Sequence, residues 1–278
     1  MRLSACRLIA RIAPLLTLLF IPTYAFAWGK EGHAIVAQIA ESRLTPKAKD
    51  GVAALLAKGE TMSSVSSWAD SIRKERDETS TWHYVDIPYE MKAYDAPRDG
   101  KNGNNVIEKI VDFANILNDR TRPANERTEA LKFLIHFVGD LHQPLHCAER
   151  NEDKGGNFRL VFFLEDPQAV NLHRVWDSVI LKHIMEAGDQ KQSASDVATR
   201  IAASITDGQA KEWTRSEPMA WANESHRLAV DVVYADVPAD GPPVKLGDAY
   251  VQRAEPVVEM QLARGGARLA EVLNRIFR

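Results

Sequence analysis

The stretch FLIHFVGDLHQPLH, residues 133–146, is the most informative part of the chain for both fold and chemistry. It continues a helical pattern predicted over residues 125–141, which ends just before Pro144. His136 and Asp140 are four residues apart and therefore share one helix face. A carboxylate in so apolar a run requires a cation or several hydrogen-bond donors. His146 follows the proline, so the chain turns there and can present it to a second nearby centre.

Outward from this stretch, most of the chain predicts helices. The predicted helices cover residues 31–43, 46–58, 63–76, 105–118, 125–141, 171–187, 194–205, 218–234 and 247–277, the last bent or broken at Gly265-Gly266. Residues 82–88 predict a short extended piece, and residues 158–164 a small hairpin or a lone strand. No repeat or linker divides the chain. The sequence therefore predicts a single all-α domain over residues 28–278, with a short β-hairpin or extended segments.

Residues 1–27 predict a secretory signal peptide. Three arginines precede an apolar stretch over residues 12–21, and Ala25-Phe-Ala27 forms a small-x-small cleavage site before Trp28. The alternative is a membrane anchor, but the apolar stretch is short for a span and prolines interrupt it. No other stretch approaches the length of a membrane span.

Charge and cysteine content limit the possible functions. Removing residues 1–27 takes away three arginines and no acid, so the net charge changes from −3 to −6. An acidic protein is not an obvious nucleic-acid binder unless bound cations reverse the local field. Cys147 then stands alone, so no intrachain disulfide is possible, and it is expected to be a passive small residue.

Histidine and aspartate recur in apolar segments elsewhere. His173 and Asp177 repeat the spacing of four residues. One such pair could be a structural hydrogen bond, but two copies among apolar residues favour a site. Five histidines and three aspartates are candidate ligands, enough for a multinuclear zinc site without cysteine. They are His33, Asp70, His83, His136, Asp140, His146, His173 and Asp177.

Other enzyme classes lack their motifs in this sequence. No G-x-S-x-G nucleophile elbow occurs, which disfavours a Ser-His-Asp hydrolase. Neither the phosphate-binding loop nor the dinucleotide-binding glycine pattern is present.

The candidate ligands occur within an ordered string of motifs. These are W-G-x-x-G-H from Trp28, W-A-D at 68–70, W-H-Y-V-D at 82–86, H-F-x-G-D-x-x-Q-P-L-H at 136–146, G-G-N at 155–157 and N-L-H-x-x-W-D at 171–177. With them the chain resembles the zinc-dependent single-strand-specific nucleases of fungi, plants and bacteria. These share a mostly helical fold with bacterial zinc phospholipases C.

The resemblance implies three zinc ions per chain. The first is held by Asp70, His83, His136 and Asp140. The second, more loosely attached, is held by His146, His173 and Asp177. The third is held by the amino nitrogen and carbonyl oxygen of Trp28, by His33 and by Asp140, which bridges two metals. His142 matches no ligand position and is expected near the site or at the surface, whereas His183 and His226 match nothing.

The resemblance also implies the reaction. The family hydrolyses single-stranded DNA and RNA at the P–O3′ bond, leaves 5′-phosphates, acts on 3′-nucleotides and needs no protein nucleophile. Arg73 is expected to contact phosphate. Asp86 would orient the attacking water or be a structural, hydrogen-bonded residue. Tyr84 would stack on a base or be a core aromatic, and Asn157 would read a base edge.

Two alternatives stay open from the sequence. One is a phospholipase C on the same fold, and the other is a non-enzymatic zinc-binding or adhesion module. Plant and fungal members commonly carry disulfides, which this chain cannot form, so we expect a bacterial-type member that is secreted or periplasmic. A monomer without a membrane span after signal cleavage is expected.

Overall fold

The computed structural model describes residues 28–188 and 190–278. The predicted signal peptide lies outside the described residues. Within them, no helix combines the length and the apolar character that a membrane span requires. The predicted mostly helical fold is confirmed, because helices account for most of this part of the chain and strands for little of it.

The helices follow one another with short connections. In chain order they are α1 (Lys30–Ser42), α2 (Pro46–Leu55), α3 (Met62–Val65), α4 (Trp68–Ile72), α5 (Ala96–Asp99), α6 (Val106–Asn118), α7 (Ala124–Leu141), α8 (Leu172–Arg174), α9 (Ile180–Glu186), α10 (Ala194–Ser204), α11 (Asp207–Trp213), α12 (Pro218–Leu228) and α13 (Asp248–Ile276). Short 3-10 turns span Asp77–His83, Lys101–Gly103 and Pro144–Cys147. Two π-helical turns span Val175–Val179 and Ala229–Val233.

Helix α7 forms the centre of the core. Between Ala130 and Leu141 every residue except Lys132 is buried, so apolar side chains surround this helix on all faces. Helix α6 packs along it, while α1 packs between α13 and α10 and also touches α7. The polar side chains that α7 carries in its buried part are thereby held in fixed directions inside the molecule.

Helix α13 is not broken at Gly265-Gly266, so the break that the sequence allowed there is wrong. The helix continues over 29 residues through both glycines. A Cβ atom at Gly266 would lie 2.4 Å from Ile39 Cγ2 and 3.2 Å from the carbonyl oxygen of Val36. The glycine therefore allows α13 to approach α1 closely, and this burial outweighs its poor helix propensity of about 1 kcal/mol.

Two predicted elements near the site differ from the structure. The helix predicted over 63–76 is instead the pair α3 and α4, because the chain bends at Ser66 and Ser67 and frees the Ser66 carbonyl oxygen for a histidine. The extended piece predicted over 82–88 begins later, since Trp82 and His83 end a 3-10 turn. Val85 then pairs with the His146 carbonyl oxygen at 2.8 Å.

A small sheet lies beside the helices. Strand β1 (Leu160–Phe163) pairs antiparallel with β2 (Val170–Asn171) and parallel with β3 (Val244–Leu246), in the order β2-β1-β3. The predicted hairpin is thus present as β1 and β2, whereas the third strand was not predicted. Strand β2 leads directly into α8, which starts the helical segment that carries His173 and Asp177.

Candidate metal centre

The eight predicted histidine and aspartate ligands are all buried, and they converge in three groups. Within each group the candidate ligand atoms lie within 4.8 Å of one another. The groups are His33, Asp70 and His136; His83, His136 and Asp140; and His146, His173 and Asp177. They come from α1, α4, the 3-10 turn at 77–83, α7, the turn after Pro144 and the segment after β2.

Helix α7 supplies the pair at the centre. His136 Nδ1 lies 2.7 Å from the Ser66 carbonyl oxygen, which leaves Nε2 to face the site. That Nε2 is 3.1 Å from His83 Nδ1, and Asp140 Oδ2 is 2.9 Å from the same His83 atom. Burial lowers the pKa of His136, but the carboxylates of Asp140 and Asp70 outweigh it and raise this pKa to about 9. A metal that binds here must displace that proton.

His33 of α1 reaches the same place from the other side of Asp140. Its Nε2 is 3.3 Å from Asp140 Oδ1, and its ring stacks on His136 with centroids 3.9 Å apart. Gly139 allows this approach, because a Cβ atom there would lie 2.7 Å from His33 Nδ1. Asp140 therefore offers one carboxylate oxygen to His33 and the other to His83 and His136.

The second pair of histidines is ready to bind metal as neutral imidazoles. His146 Nδ1 lies 2.8 Å from the His83 carbonyl oxygen and His173 Nδ1 lies 2.7 Å from that of Gly155, so both Nε2 atoms point inward, 3.1 Å apart. Burial lowers the pKa of His146 to about 3 and that of His173 to about 4.

The carboxylate of this group is oriented by a residue that the sequence did not single out. Gln143 Nε2 donates to Asp177 Oδ1 at 2.5 Å, while Gln143 Oε1 accepts from the Leu145 backbone N–H. Asp177 Oδ2 is 3.4 Å from His173 Nε2. The sequence signal for this role was the position of Gln143 within the motif, between the candidate ligands Asp140 and His146.

Trp28 lies against this second group. The Gly29 backbone N–H donates to the Asp177 carbonyl oxygen at 2.8 Å, and a Cβ atom at Gly32 would lie 2.9 Å from Trp28 Cβ. The Trp28 side chain is fully buried, and its indole nitrogen has no hydrogen-bond partner among the described residues. The first residue of the predicted mature chain is thus packed between α1 and the π-helical turn that carries Asp177.

The residues present fit a metal centre. Buried polar atoms normally have hydrogen-bond partners, yet several atoms here have none within the described part of the chain. These are both ring nitrogens of His33, His83 Nε2, Asp70 Oδ1 and Asp140 Oδ1. Burial also raises the pKa of Asp177 well above its usual value, so its charged form requires a cation. Nitrogen and oxygen donors without thiolate suit zinc.

The comparison with known families agrees with this chemistry. The sequence model of the S1/P1 nuclease family matches residues 28–278. This chain belongs to the S1/P1 nuclease family. It is 34% identical to Endonuclease 2 of Arabidopsis thaliana, over 94% of each chain. It is 30% identical to Nuclease P1 of Penicillium citrinum, over 90% of this chain and 97% of that one. The predicted family and its endonuclease activity are confirmed.

Two charged residues predicted for catalysis in this S1/P1 nuclease form ion pairs. Arg73 Nη1 is 3.6 Å from Asp70 Oδ1, and one fifth of the Arg73 side chain is exposed. Asp86 forms an ion pair with Lys101, a residue that the sequence did not indicate. The same ammonium lies 5.0 Å above the ring of Tyr84.

The two predicted base contacts are partly exposed. Tyr84 is half-buried, and burial together with Asp86 raises the pKa of its hydroxyl. Asn157 is also half-buried, and its Nδ2 donates to the Lys154 carbonyl oxygen at 2.9 Å. Each therefore presents part of its side chain to solvent, as a substrate contact requires.

The remaining histidines and the cysteine belong to none of the candidate ligand groups. His142 is fully buried between the Val138 carbonyl oxygen and Arg268, so the surface position that the sequence left open is wrong. His183 pairs with Glu255. His226 is buried, with its two ring nitrogens facing backbone carbonyl oxygens. Burial raises the pKa of the Cys147 thiol far above its usual value, which fits the predicted passive role.

Proposed function

We propose that this S1/P1 nuclease is a zinc-dependent endonuclease that hydrolyses single-stranded DNA and RNA. It would cleave the P–O3′ bond, leave 5′-phosphorylated products and also act on 3′-nucleotides. The convergence of eight buried histidine and aspartate side chains, several with unpartnered polar atoms, carries the proposal. The relatives that share nearly the whole chain are named nucleases and endonucleases.

Three zinc ions would occupy the centre. The first would take Asp70, His83, His136 and Asp140; the second His146, His173 and Asp177; and the third the backbone of Trp28, His33 and Asp140. Support for a bridging role comes from the two oxygens of Asp140, which face different histidines. Zinc supplies Lewis-acid chemistry, which activates water and stabilises negative charge on phosphate oxygens.

Residues at the rim would bind and orient the phosphate and the water. Arg73 keeps a guanidinium beside the Asp70 carboxylate and would bind a phosphate oxygen, since Arg matches such oxygens with two donors. Asp86 would accept a hydrogen bond from the attacking water. Its ion pair with Lys101 fixes the direction of the carboxylate. No side chain here needs to form a covalent intermediate.

Unpaired bases would supply the preference for single strands. The exposed part of Tyr84 next to His83 offers a ring on which a base can stack, which requires a base outside a duplex. Asn157 would contact the base edge through its amide oxygen or its remaining donor hydrogen. Both residues directly adjoin segments that carry candidate ligands.

The mature protein would begin at Trp28 after export to the periplasm or the medium, and would act as a monomer. The burial of Trp28 beside the segment that carries Asp177 supports this cleavage site. Any residue retained before Trp28 would need space in this packed region. N-terminal sequencing of the exported protein tests the cleavage site, and sedimentation analysis tests the monomer.

One assay panel tests the activity. The zinc-loaded protein is offered single-stranded DNA, the same DNA as a duplex, RNA, a 3′-nucleotide and phosphatidylcholine, with an EDTA-treated sample as the control. We expect EDTA-sensitive cleavage of both single strands, slower cleavage of the duplex, and 5′-phosphates on the products. Hydrolysis of phosphatidylcholine without cleavage of any nucleic acid would establish the phospholipase instead.

A further inference from the structure

Two large apolar side chains are exposed at the start of strand β1. Phe158 is 64% exposed and Leu160 is 44% exposed, although most aromatic side chains of this protein are buried or partly buried. Phe158 lies in the turn that precedes β1, whereas Leu160 and Phe162 are two residues apart within β1 and therefore point to the same side of the sheet. Phe162 is half-buried. We call Phe158, Leu160 and Phe162 the apolar stripe.

The stripe begins next to the second ligand group. The Gly156 carbonyl oxygen accepts from the backbone N–H of His173 at 3.4 Å, and the Arg159 carbonyl oxygen accepts from Leu172 at 2.8 Å. Phe158 is two residues after Gly156, so their Cα atoms are at most about 7.6 Å apart. An aromatic ring at Phe158 is therefore within one or two nucleotides of a phosphate bound at His173.

The loop that presents Phe158 is held in place. Asn151, Glu152 and Lys154 have left-handed backbone angles, with φ of 53°, 60° and 52°, which costs energy for residues other than glycine. Asp153 anchors the loop, because its carboxylate accepts from the Tyr234 hydroxyl and its carbonyl oxygen accepts from the Phe158 N–H at 3.0 Å. These hydrogen bonds therefore hold the Phe158 backbone in the position from which its side chain is exposed.

A positive charge accompanies the ring. The Lys154 ammonium lies 4.9 Å from the centroid of the Phe158 ring. An ammonium beside an exposed aromatic ring suits a strand that alternates bases with phosphates. We propose that Phe158 and Lys154 form a subsite that stacks a base of the single strand beyond the cleaved phosphate, with Lys154 contacting the neighbouring phosphate. This inference rests on the proposed function.

Substrates of two lengths test the subsite. The substrates are a thymidine octanucleotide, which reaches Phe158, and a thymidine 3′-mononucleotide, which does not. We expect Phe158→Ala to lower kcat/KM for the octanucleotide about tenfold, near the lower end of base-stacking contributions, and to leave the mononucleotide within twofold. Phe158→Trp should retain the wild-type rate on the octanucleotide, whereas Phe158→Leu should lose most of it.

Met219→Ala is the matched control, because Met219 is 53% exposed on α12. Equal octanucleotide rates for Phe158→Ala and Met219→Ala would overturn the subsite, as would an equal loss on both substrates. Full activity of Phe158→Leu would show that stacking is not involved. Loss of phosphatidylcholine hydrolysis in Phe158→Ala, with oligonucleotide rates unchanged, would assign the stripe to lipid. Wild-type protein that turns over neither nucleotide substrate would refute the proposed function itself.

Discussion

Adding one methyl group at Gly139 should weaken metal binding at the centre while changing the stability of the metal-free protein little. Gly139 lies inside α7, where alanine is favoured over glycine by about 1 kcal/mol in helix propensity. Propensity alone therefore predicts that Gly139→Ala stabilises the protein. The methyl group would, however, lie 2.7 Å from His33 Nδ1 and 3.1 Å from His33 Cε1. The gain in helix propensity is measured as stability, whereas the contact with His33 is measured as lost metal affinity.

The displacement can be worked out from these contacts. An ordinary contact begins near 3.4 Å, so a methyl group 2.7 Å from His33 Nδ1 forces His33 to retreat by about 0.7 Å. Metal–ligand distances tolerate only about 0.2 Å. His33 is fully buried and stacked on His136, so the shift also disturbs a second ligand. We expect metal affinity to fall roughly 10- to 100-fold, the range for altered ligand orientation.

The stability change should be much smaller. Overpacking costs about 1–3 kcal/mol, and the gain in helix propensity offsets about 1 kcal/mol of it. The remaining ~0–2 kcal/mol corresponds to a fall in melting temperature of at most about 8 °C for a chain of this size. Measured without metal, the variant should therefore remain folded.

The assay is metal content by elemental analysis, combined with melting curves in EDTA and with nuclease rates. Gly208→Ala is the control for helix propensity, because the nearest atom to its new methyl group is Thr206 Oγ1 at 3.9 Å. Gly51→Ala is the control for a clash away from the centre, because the three atoms nearest to its methyl group all belong to the Phe277 ring, the first at 2.3 Å. Wild-type metal content and rate in Gly139→Ala would refute the assignment of His33 as a ligand.

Four further outcomes are expected. EDTA should lower the melting temperature as well as the activity, because Asp70 and Asp140 would lose the metal ions and keep the smaller compensating charge of His136 and Arg73; an unchanged melting temperature would contradict this. Asp140→Asn should be the most damaging single substitution, since it affects two metals, and full zinc occupancy in that variant would exclude bridging. Tyr84→Ala should lower kcat/KM on single-stranded DNA at unchanged zinc content; an unchanged kcat/KM would make Tyr84 a core aromatic. A residue retained before Trp28 should reduce zinc content and lower activity at least about tenfold, because it converts the Trp28 amine into an amide nitrogen, which binds zinc poorly. The comparison is correctly cleaved protein with a C-terminal tag. Equal zinc content and equal activity in the two proteins would exclude the Trp28 amine as a ligand.

Long periodic segments were predictable because burial and helix propensity agree in them. The prediction over 125–141 differs from α7 by one residue at its start, and the two pairs spaced by four residues do share a helical face. The break at Gly265-Gly266 was wrong, because the close approach of α1 is a tertiary contact that no local pattern contains. Helix α11 was missed, although Thr206 and Gln209 form a capping box that the sequence shows.

The site was predictable in its residues and less so in their partners. Which carbonyl oxygen receives each histidine depends on chain segments distant in sequence, as for His136 with Ser66 and His146 with the carbonyl of His83. The ion pair of Lys101 was not predicted for the same reason, since its partner Asp86 is 15 residues away across a loop with left-handed backbone angles. Motifs identify candidate ligands, whereas the fold decides which atom of each ligand is free.

Several candidate ligands lie on short or irregular helical elements. Asp70 lies on a five-residue helix and His83 ends a 3-10 turn, whereas Asp177 lies within a π-helical turn. Such short elements are not stable alone and depend on tertiary contacts. Within residues 28–278 Cys147 is the only cysteine, so no disulfide inside this part of the chain can hold them. A metal bound by these ligands would join their segments to α7, and its binding free energy would then also be folding free energy.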